Sequence, residues 1–352
     1  MTEIIDVLVV GAGPAGLSSA FFLRHMGDDL EVLTLDRMEG RRRSRYHSIC
    51  GEGISVGAFS ELTPIRPWAV KDRVDKAVIN WPGGVRTTQR LDGVIIDRPA
   101  FLDRLEGMYR EEGGHSAVGS LISLKQEEGF YTAVLYDGTE LRSRYVIGAD
   151  GAFSTVRKQI FGTRPLRMLA VERYLVEAET LPETLTFHMG ESYGGGYRWE
   201  FPCGGLVNTG FPAGTSRLDE YVDKACRFLP FGGVPQVTDG NVLLVGDAAG
   251  QANPVSFGGI RTSMVAGKRA AKAVIAGKPE RYRRWWERSR LSSPWYMKAH
   301  ETLAGWSDGD MERAAAPFQG RARLRPLLRR AMTSPRDFHM YIAYGLAFRE
   351  SW

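Results

Sequence analysis

The sequence predicts an α/β protein: a parallel, doubly wound domain broken into several segments of chain, an antiparallel β-sheet domain and a C-terminal helical region. Three observations predict it. The chain opens on "IIDVLVVGAGPAGLSSAFFLRHMG", a strand, a glycine loop and a helix in succession. Two later apolar runs end in "GADG" (148–151) and "GD" (246–247), the turns that follow sheet strands. Between them, "MLAVERYLVEA", "ETLTFHMG", "GYRWEFP" and "GLVNTGF" follow one another at meander spacing.

The first element carries the most chemistry. A β-branched run, Ile4 to Val10, stops at Gly11-x-Gly13-x-x-Gly16, and apolar residues return at helical spacing through Leu17, Ala20, Phe21 and Leu23. Such glycines allow a tight turn, close approach to a pyrophosphate and close helix–strand packing, while the helix N-terminus offers free N–H groups. A second strand, "LEVLTLD", ends at Asp36, twenty-five residues after Gly11, where a carboxylate can accept from ribose hydroxyls. A lone GxGxxG is weak; strand, loop, helix, strand and terminal acid together predict a Rossmann-type dinucleotide site.

The next elements extend that site. "YVIGADGAFSTVRK" (145–158) reads as a strand ending in Asp150-Gly151, then a helix carrying Ser154 and Arg157. "NVLLVGDAAGQANPVSFGGIRTSMVAGKRAAKAV" (241–274) reads as a strand ending at Gly246-Asp247, with a long helix from about Gly258. Asp247 can hold a ribityl or ribose hydroxyl, and Gly258 and Gly259 can present N–H groups at the helix start. Residues 70–96 read as two strands around Pro82-Gly83-Gly84. Residues 279–352 read as helical, punctuated by Pro294, Pro317, Pro326 and Pro335.

Composition sets the limits. The 352 residues are 43% hydrophobic and 25% charged, an ordinary globular balance. The formal charge of +5 suits an anionic cofactor or an anionic membrane surface and gives no ground for a nucleic-acid partner. Three cysteines, Cys50, Cys203 and Cys226, make no disulfide framework, so a reducing cytoplasm is expected. The sequence shows no signal peptide, no spanning apolar segment, no repeat and no paired metal-ligand spacing among its six histidines; no metal is expected.

With GxGxxG, DG and GD in this order, the chain resembles the flavoprotein superfamily typified by para-hydroxybenzoate hydroxylase. That family's Arg-bearing helix start has its counterpart in "DRPAFLDRL" (97–105), which implies that Arg98 contacts FAD. Within the superfamily it resembles the geranylgeranyl reductase family. "CGEGIS" (50–55) matches that family's C-G-E-G-[LI]-S loop, "GYRWEFP" (196–202) its G-Y-x-W-x-F-P strand, and "LAGWSDGDMERA" (303–314) a stretch of its C-terminal helices. The resemblance runs over essentially the whole chain. It departs at Phe257, where the family has glycine, so a residue that takes φ > 0 only at a cost adds its ring near the expected flavin.

What the resemblance implies is an FAD-dependent reductase that saturates C=C bonds of an isoprenoid lipid or prenyl substrate, with hydride from flavin N5. The expected domains are FAD-binding at 1–60, 97–160 and 236–278, sheet at 61–96 and 161–235, and helical at 279–352. Residues and resemblance together place FAD against Gly11, Gly13, Ala15, Gly16, Asp36, Arg37, Arg45, Cys50, Gly51, Gly53, Arg98, Asp150, Gly246, Asp247, Gly258, Gly259 and Ile260. The substrate pocket falls to Glu52, Tyr197, Trp199, Phe201, Pro202 and Phe257. No second GxGxxG follows a strand, so electrons come from a transiently docked NAD(P)H or from a protein such as reduced ferredoxin.

Several residues keep more than one reading. Cys50 is an inert core thiol, a proton donor facing flavin and substrate, or half of a redox disulfide with Cys203 or Cys226. Gly51 and Gly53 give the flat flavin ring a wall without Cβ atoms. Glu52 is a solvated loop charge or a polar partner of the flavin edge. Tyr197, Trp199 and Phe201 alternate onto one strand face, as core or as pocket wall. "RRRSR" (41–45) is a solvated loop, or brings Arg45 to the pyrophosphate. "RARLRPLLRRAM" (321–332) is a packed helix or one lying on a membrane surface. The rival activity is an FAD-dependent monooxygenase of an aromatic or polycyclic compound, which shares every FAD motif. A flavin halogenase ranks lower because its Trp-x-Trp-x-Ile-Pro signature is absent, and a non-enzymatic FAD protein is the third alternative.

Overall fold

The structure is a computed structural model, and it describes residues 4–27, 29–179 and 181–321 together with Met340, Ala343 and Ala347. Among the described residues the strands form two sheets. In the first, β1 (Ile4–Val10), β2 (Val32–Asp36), β6 (His115–Val118), β9 (Glu140–Gly148), β15 (Thr238–Asp239) and β16 (Val242–Leu244) stand in the order β15-β16-β9-β1-β2-β6. β1 pairs in parallel with β2 and β9, and β9 with β16. Val7, Leu8 and Val9 are fully buried, as a parallel strand covered on both faces requires. β7 (Leu121–Gln126) and β8 (Tyr131–Leu135) add an antiparallel extension beside β9.

Three helices cover this sheet: α1 (Pro14–Met26), α3 (Arg98–Glu111) and α4 (Ile260–Ile275). α1 and α4 touch backbone to backbone. Ser18 Oγ donates to the Met264 carbonyl at 2.8 Å, and a Cβ at Gly267 would lie 2.6 Å from the Ala15 carbonyl. α4 begins at Ile260 with Gly259 as its cap, two residues later than the sequence suggests. Ser154 and Arg157 stand not on a regular α-helix but in a turn followed by a π-helical turn, Arg157–Phe161. Asp150 accounts for this: it accepts from the Thr155 and Val156 N–H groups at 2.6 and 3.1 Å and so holds the chain in a tight cap.

The second sheet contains β3 (Gly53–Ser55), β4 (Val70–Asn80), β5 (Arg86–Ile96), β10 (Arg167–Val176), β11 (Thr184–His188), β12 (Arg198–Cys203), β13 (Leu206–Pro212), β14 (Asp223–Phe231) and β17 (Gly320–Arg321). The order is β14-β10-β13-β12-β11-β4-β5-β17, with β3 beside β5. It is antiparallel except at β11–β4 and β17–β5. The first exception has a simple origin. The β4–β5 hairpin and the β10–β14 strands come from stretches of chain separated by four strands of the first sheet, so no hairpin turn dictates the direction at their seam. β14 has no counterpart among the runs singled out in the sequence. α5 (Glu280–Arg288), α6 (Pro294–Ala304) and α7 (Asp308–Ala315) follow, and Tyr296, Ala299 and Leu303 of α6 enter the second core with Leu185, Phe187 and Phe201. Of the stretch at 321–332 only Arg321 is described; the surface helix considered for it lies outside the described residues.

Candidate active site

A cavity of about 410 Å³ runs between the two sheets. Its first end is the glycine loop. Gly11 has φ +103°, and a Cβ there would meet the Ala149 carbonyl at 2.3 Å; at Gly16 one would meet the Gly11 carbonyl at 1.8 Å. Both positions therefore admit only glycine, and the loop lies flat against the end of β9. Asp36 accepts from the Ala12 and Met38 N–H groups at 2.7 and 2.8 Å, which fixes its carboxylate at the cavity edge. Arg157 staples the two later turns together, donating to the carbonyls of Ala152 at 2.8 Å and Ala248 at 2.7 Å. Burial raises the Asp150 carboxyl against its own hydrogen bonds.

Beside the loop stand three cations and a buried neutral histidine. α2 (Gly40–His47) brings Arg43 and His47, α3 brings Arg98 and β14 brings Arg227. Arg227 Nη2 pairs with Asp247 at 2.8 Å, and its guanidinium lies 4.8 Å from the Tyr46 ring centre. His47 is 4% exposed, and burial, reinforced by Arg98, Arg227 and Arg43, holds its pKa down to about 2. Both His47 ring nitrogens, Arg43 Nε and Arg227 Nη1 are buried without a hydrogen-bond partner. Unmade buried donors of this kind are costly, and a dianionic diphosphate supplies the acceptors they lack. A Cβ at Gly13, which caps α1, would lie 3.5 Å from His47 Cε1, so these donors stand at the helix start. The residues present fit FAD, with its diphosphate between the glycine loop and these side chains.

The third part is the loop around Cys50. Arg98 is 4% exposed; its side chain donates to the carbonyls of His47 and Ile49, and its backbone N–H to Glu52 Oε1 at 3.1 Å. Asn208, on β13, donates from Nδ2 to the Cys50 carbonyl at 2.6 Å and accepts from Trp199 Nε1 at 3.1 Å. The three cysteines are free thiols. Gly51 lines the cavity and also makes room for the aromatic strand: a Cβ there would sit 2.8 Å from Phe201 Cε2. Glu52 is 2% exposed and paired with Lys71 Nζ at 2.8 Å, so it is no solvated loop charge. Burial raises its carboxyl despite Lys71.

The far wall is aromatic. Phe187 packs edge-on against Tyr197 and Phe201, with ring centres 5.1 and 5.3 Å apart, and Tyr197 meets Phe257 at 5.6 Å. Phe257 does take a left-handed conformation, φ +50°, and its ring also contacts Phe231 and His300. Trp199, Gly210 and Arg173 stand in one row across β12, β13 and β10, and a Cβ at Gly210 would lie 2.2 Å from the Trp199 ring.

Most of the residues expected at the site line this cavity, from Gly11 and Asp36 through Cys50, Glu52 and Arg98 to Asp247, Ile260 and the Tyr197–Trp199–Phe201 face. Gly16, Gly246 and Pro202 do not line it; Gly16 and Gly246 serve the packing behind it, where added Cβ atoms would meet Gly11 and Ala15. Arg45 does not line it either: its side chain is 66% exposed and pairs with Asp223 at 3.1 Å. Sequence reasoning missed His47, Lys71, Asn208 and Arg227. The one signal for Asn208 was an amide in an otherwise apolar strand, "GLVNTGF". Among the described residues no group of three or more His, Cys, Asp or Glu could hold a metal, and no helix is long and apolar enough to cross a membrane.

Known proteins are similar to this chain. Residues 6–175 match the family described as lycopene cyclase protein. A digeranylgeranylglycerophospholipid reductase of Methanosarcina mazei is 30% identical over 315 residues, 78% of this chain and 76% of that protein. Digeranylgeranylglycerophospholipid reductase 1 of Methanopyrus kandleri is 29% identical over 309 residues, 77% of this chain and 80% of that one. Among solved structures, a geranylgeranyl bacteriochlorophyll reductase-like protein from Thermoplasma acidophilum superposes with a TM-score of 0.80 at 20% identity, covering 98% of this chain and 100% of that one. The two-sheet fold is that of FAD-dependent oxidoreductases of the para-hydroxybenzoate hydroxylase-like class. Within that class the chain belongs to the geranylgeranyl reductase family.

Proposed function

We propose that this enzyme saturates C=C bonds of an isoprenoid lipid or prenyl chain, and that the residues described above hold FAD and substrate. One observation carries the reading: a thiol-bearing loop is pinned between the diphosphate cradle and a wall of aromatic side chains. Bound and reduced, FAD would supply hydride from N5 to one alkene carbon. An isolated alkene has no carbonyl for a protein to polarise, so its other carbon must receive a proton in a water-poor site. Cys50 supplies that proton from Sγ. Asn208 fixes its peptide and Arg98 the carbonyl before it, so the thiol holds a constant position while the chain slides along Tyr197, Trp199 and Phe201. The 1–60, 97–160 and 236–278 segments form the cofactor domain in this reading, and electrons enter from NAD(P)H or reduced ferredoxin.

The test is anaerobic. Holoenzyme reduced with dithionite is mixed with geranylgeranyl lipids, and flavin reoxidation is followed with the mass of the product. Reoxidation with a gain of two hydrogens per double bond is expected. Reoxidation only with O₂, giving a hydroxylated product, would overturn the reading in favour of a monooxygenase.

A further inference from the structure

Each alkene saturated consumes one proton, and a cavity poor in water must be resupplied. Glu52 is the candidate that the chemistry so far leaves unused. It lines the cavity yet is 2% exposed, and its backbone is left-handed at φ +62°, an unfavourable setting for a residue with a Cβ. Oε2 accepts from Lys71 Nζ at 2.8 Å, and Lys71, on β4, is 26% exposed. On its outer side the same ammonium lies 3.6 Å from Asp97 Oδ2, itself 41% exposed. A pair that only held the loop would be better replaced by apolar residues, since buried ion pairs seldom add net stability.

We propose that Lys71 and Glu52 form the proton entry of the active site, carrying protons from solvent to the cavity and, across cavity water, to Cys50. The inference rests on the proposed reduction of alkenes. In each cycle the Cys50 S–H bond breaks as a C–H bond forms, leaving a thiolate. Lys71 passes an N–H proton to the Glu52 carboxylate, the resulting carboxylic acid restores the S–H bond, and solvent reprotonates the Lys71 amine. The two electrons of the new C–H bond at the other carbon come with the hydride, so no further oxidant or reductant enters. Burial supports the relay by raising the Glu52 carboxyl above the ordinary carboxylate range, which eases its uptake of a proton. It would also lower Lys71, but the Glu52 charge outweighs it and holds the ammonium protonated.

The experiment follows successive double bonds of one prenyl chain under anaerobic turnover, with dithionite in excess. In Glu52→Gln the amide can still accept from Arg98 but cannot carry a proton. Cys50 already holds its proton for the first double bond, so later ones should be reduced at least tenfold more slowly than the first within the same variant. Lys71→Arg keeps the charge and the hydrogen bond but does not release a proton, so it should show the same lag. A purely structural pair predicts the reverse, with Lys71→Arg at wild-type rate throughout; that result overturns the relay even if Glu52→Gln fails to hold FAD. A second readout needs no substrate. The wild-type holoenzyme should show a carboxylic-acid infrared stretch that titrates above the ordinary glutamate range and is lost in Glu52→Gln. Its absence refutes the relay; its presence in an enzyme that reduces no prenyl chain supports the relay and overturns the substrate reading.

Discussion

Replacing Asn208 by leucine tests how the Cys50 loop is held. Asn208 is 1% exposed, and its orientation is fixed by its partners: the indole N–H of Trp199 can only donate, and the Cys50 carbonyl can only accept. Leucine keeps the volume but leaves both partners unmatched, each at a cost of about 1–3 kcal/mol. Trp199 lines the cavity, where its N–H can find water, so its share lies at the low end; the Cys50 carbonyl, at 2.6 Å the tighter of the two, lies at the high end. The sum is about 4 kcal/mol, to be read from the urea midpoint of the holoenzyme at constant m-value. Alkene reduction should fall about tenfold or more, as for any loss of alignment at a general acid, with reduction of bound flavin by dithionite unchanged. Asn208→Asp should cost more at neutral pH, because a carboxylate oxygen then faces the Cys50 carbonyl. A leucine variant within about 0.5 kcal/mol of wild type, the usual range for an uninvolved site, and with normal alkene reduction would refute the account.

Further outcomes follow from the same geometry. Cys50→Ala and Cys50→Ser should keep FAD and slow single-turnover alkene reduction by about 100-fold; wild-type reoxidation in Cys50→Ala would make the thiol packing only. Phe257→Gly relieves a left-handed phenylalanine but empties its contacts with Tyr197, Phe231 and His300, for a net loss of about 2 kcal/mol, and should admit bulkier prenyl chains; an unchanged range in a chain-length panel argues against a gating ring. Gly51→Ala should push Phe201 aside at about 1–3 kcal/mol yet retain FAD, whereas loss of FAD would mean that the cofactor packs on Gly51 itself. His47 links stability to pH. Its folded pKa of about 2 lies below the unfolded 6.5, so its contribution is whole above 6.5 and drains as pH falls. The FAD-free protein should lose about 1.4 kcal/mol per unit below that point, with FAD restoring part of it; a flat melting profile down to pH 5 contradicts the buried neutral histidine.

The legible parts of this molecule were those whose chemistry is local. Gly11, Gly13 and Asp36 announce themselves because a tight turn and a strand-end carboxylate are backbone requirements written within one short stretch. Phe257 at a position with φ > 0 was legible through the resemblance to a family that has glycine there. Partners chosen by approach across the fold were not. Asn208 meets Cys50 across 158 residues, and Arg227 comes to Asp247 from a strand without motif. Gly51 was visible as a glycine, but its closeness to the Phe201 ring was not, because that ring belongs to a strand that only the second sheet brings near. Arg45 shows the converse: an arginine at a suggestive distance in sequence found a nearer carboxylate in Asp223.

The strand order of the first sheet also sets a timetable. β16, residues 242–244, lies beside β9 on the side away from β1, and Asp247 and Gly258–Ile260 follow directly from it. As the chain leaves the ribosome, the glycine loop is made first and the surfaces that complete its cavity are made after the whole second sheet except β17 has emerged. The cofactor therefore meets a half-built cradle for most of synthesis, while unpaired edges of both sheets wait in the open. Such non-local pairing is slow and exposes the growing chain to aggregation. Supply of FAD during expression, rather than afterwards, should decide how much of this protein reaches its native state.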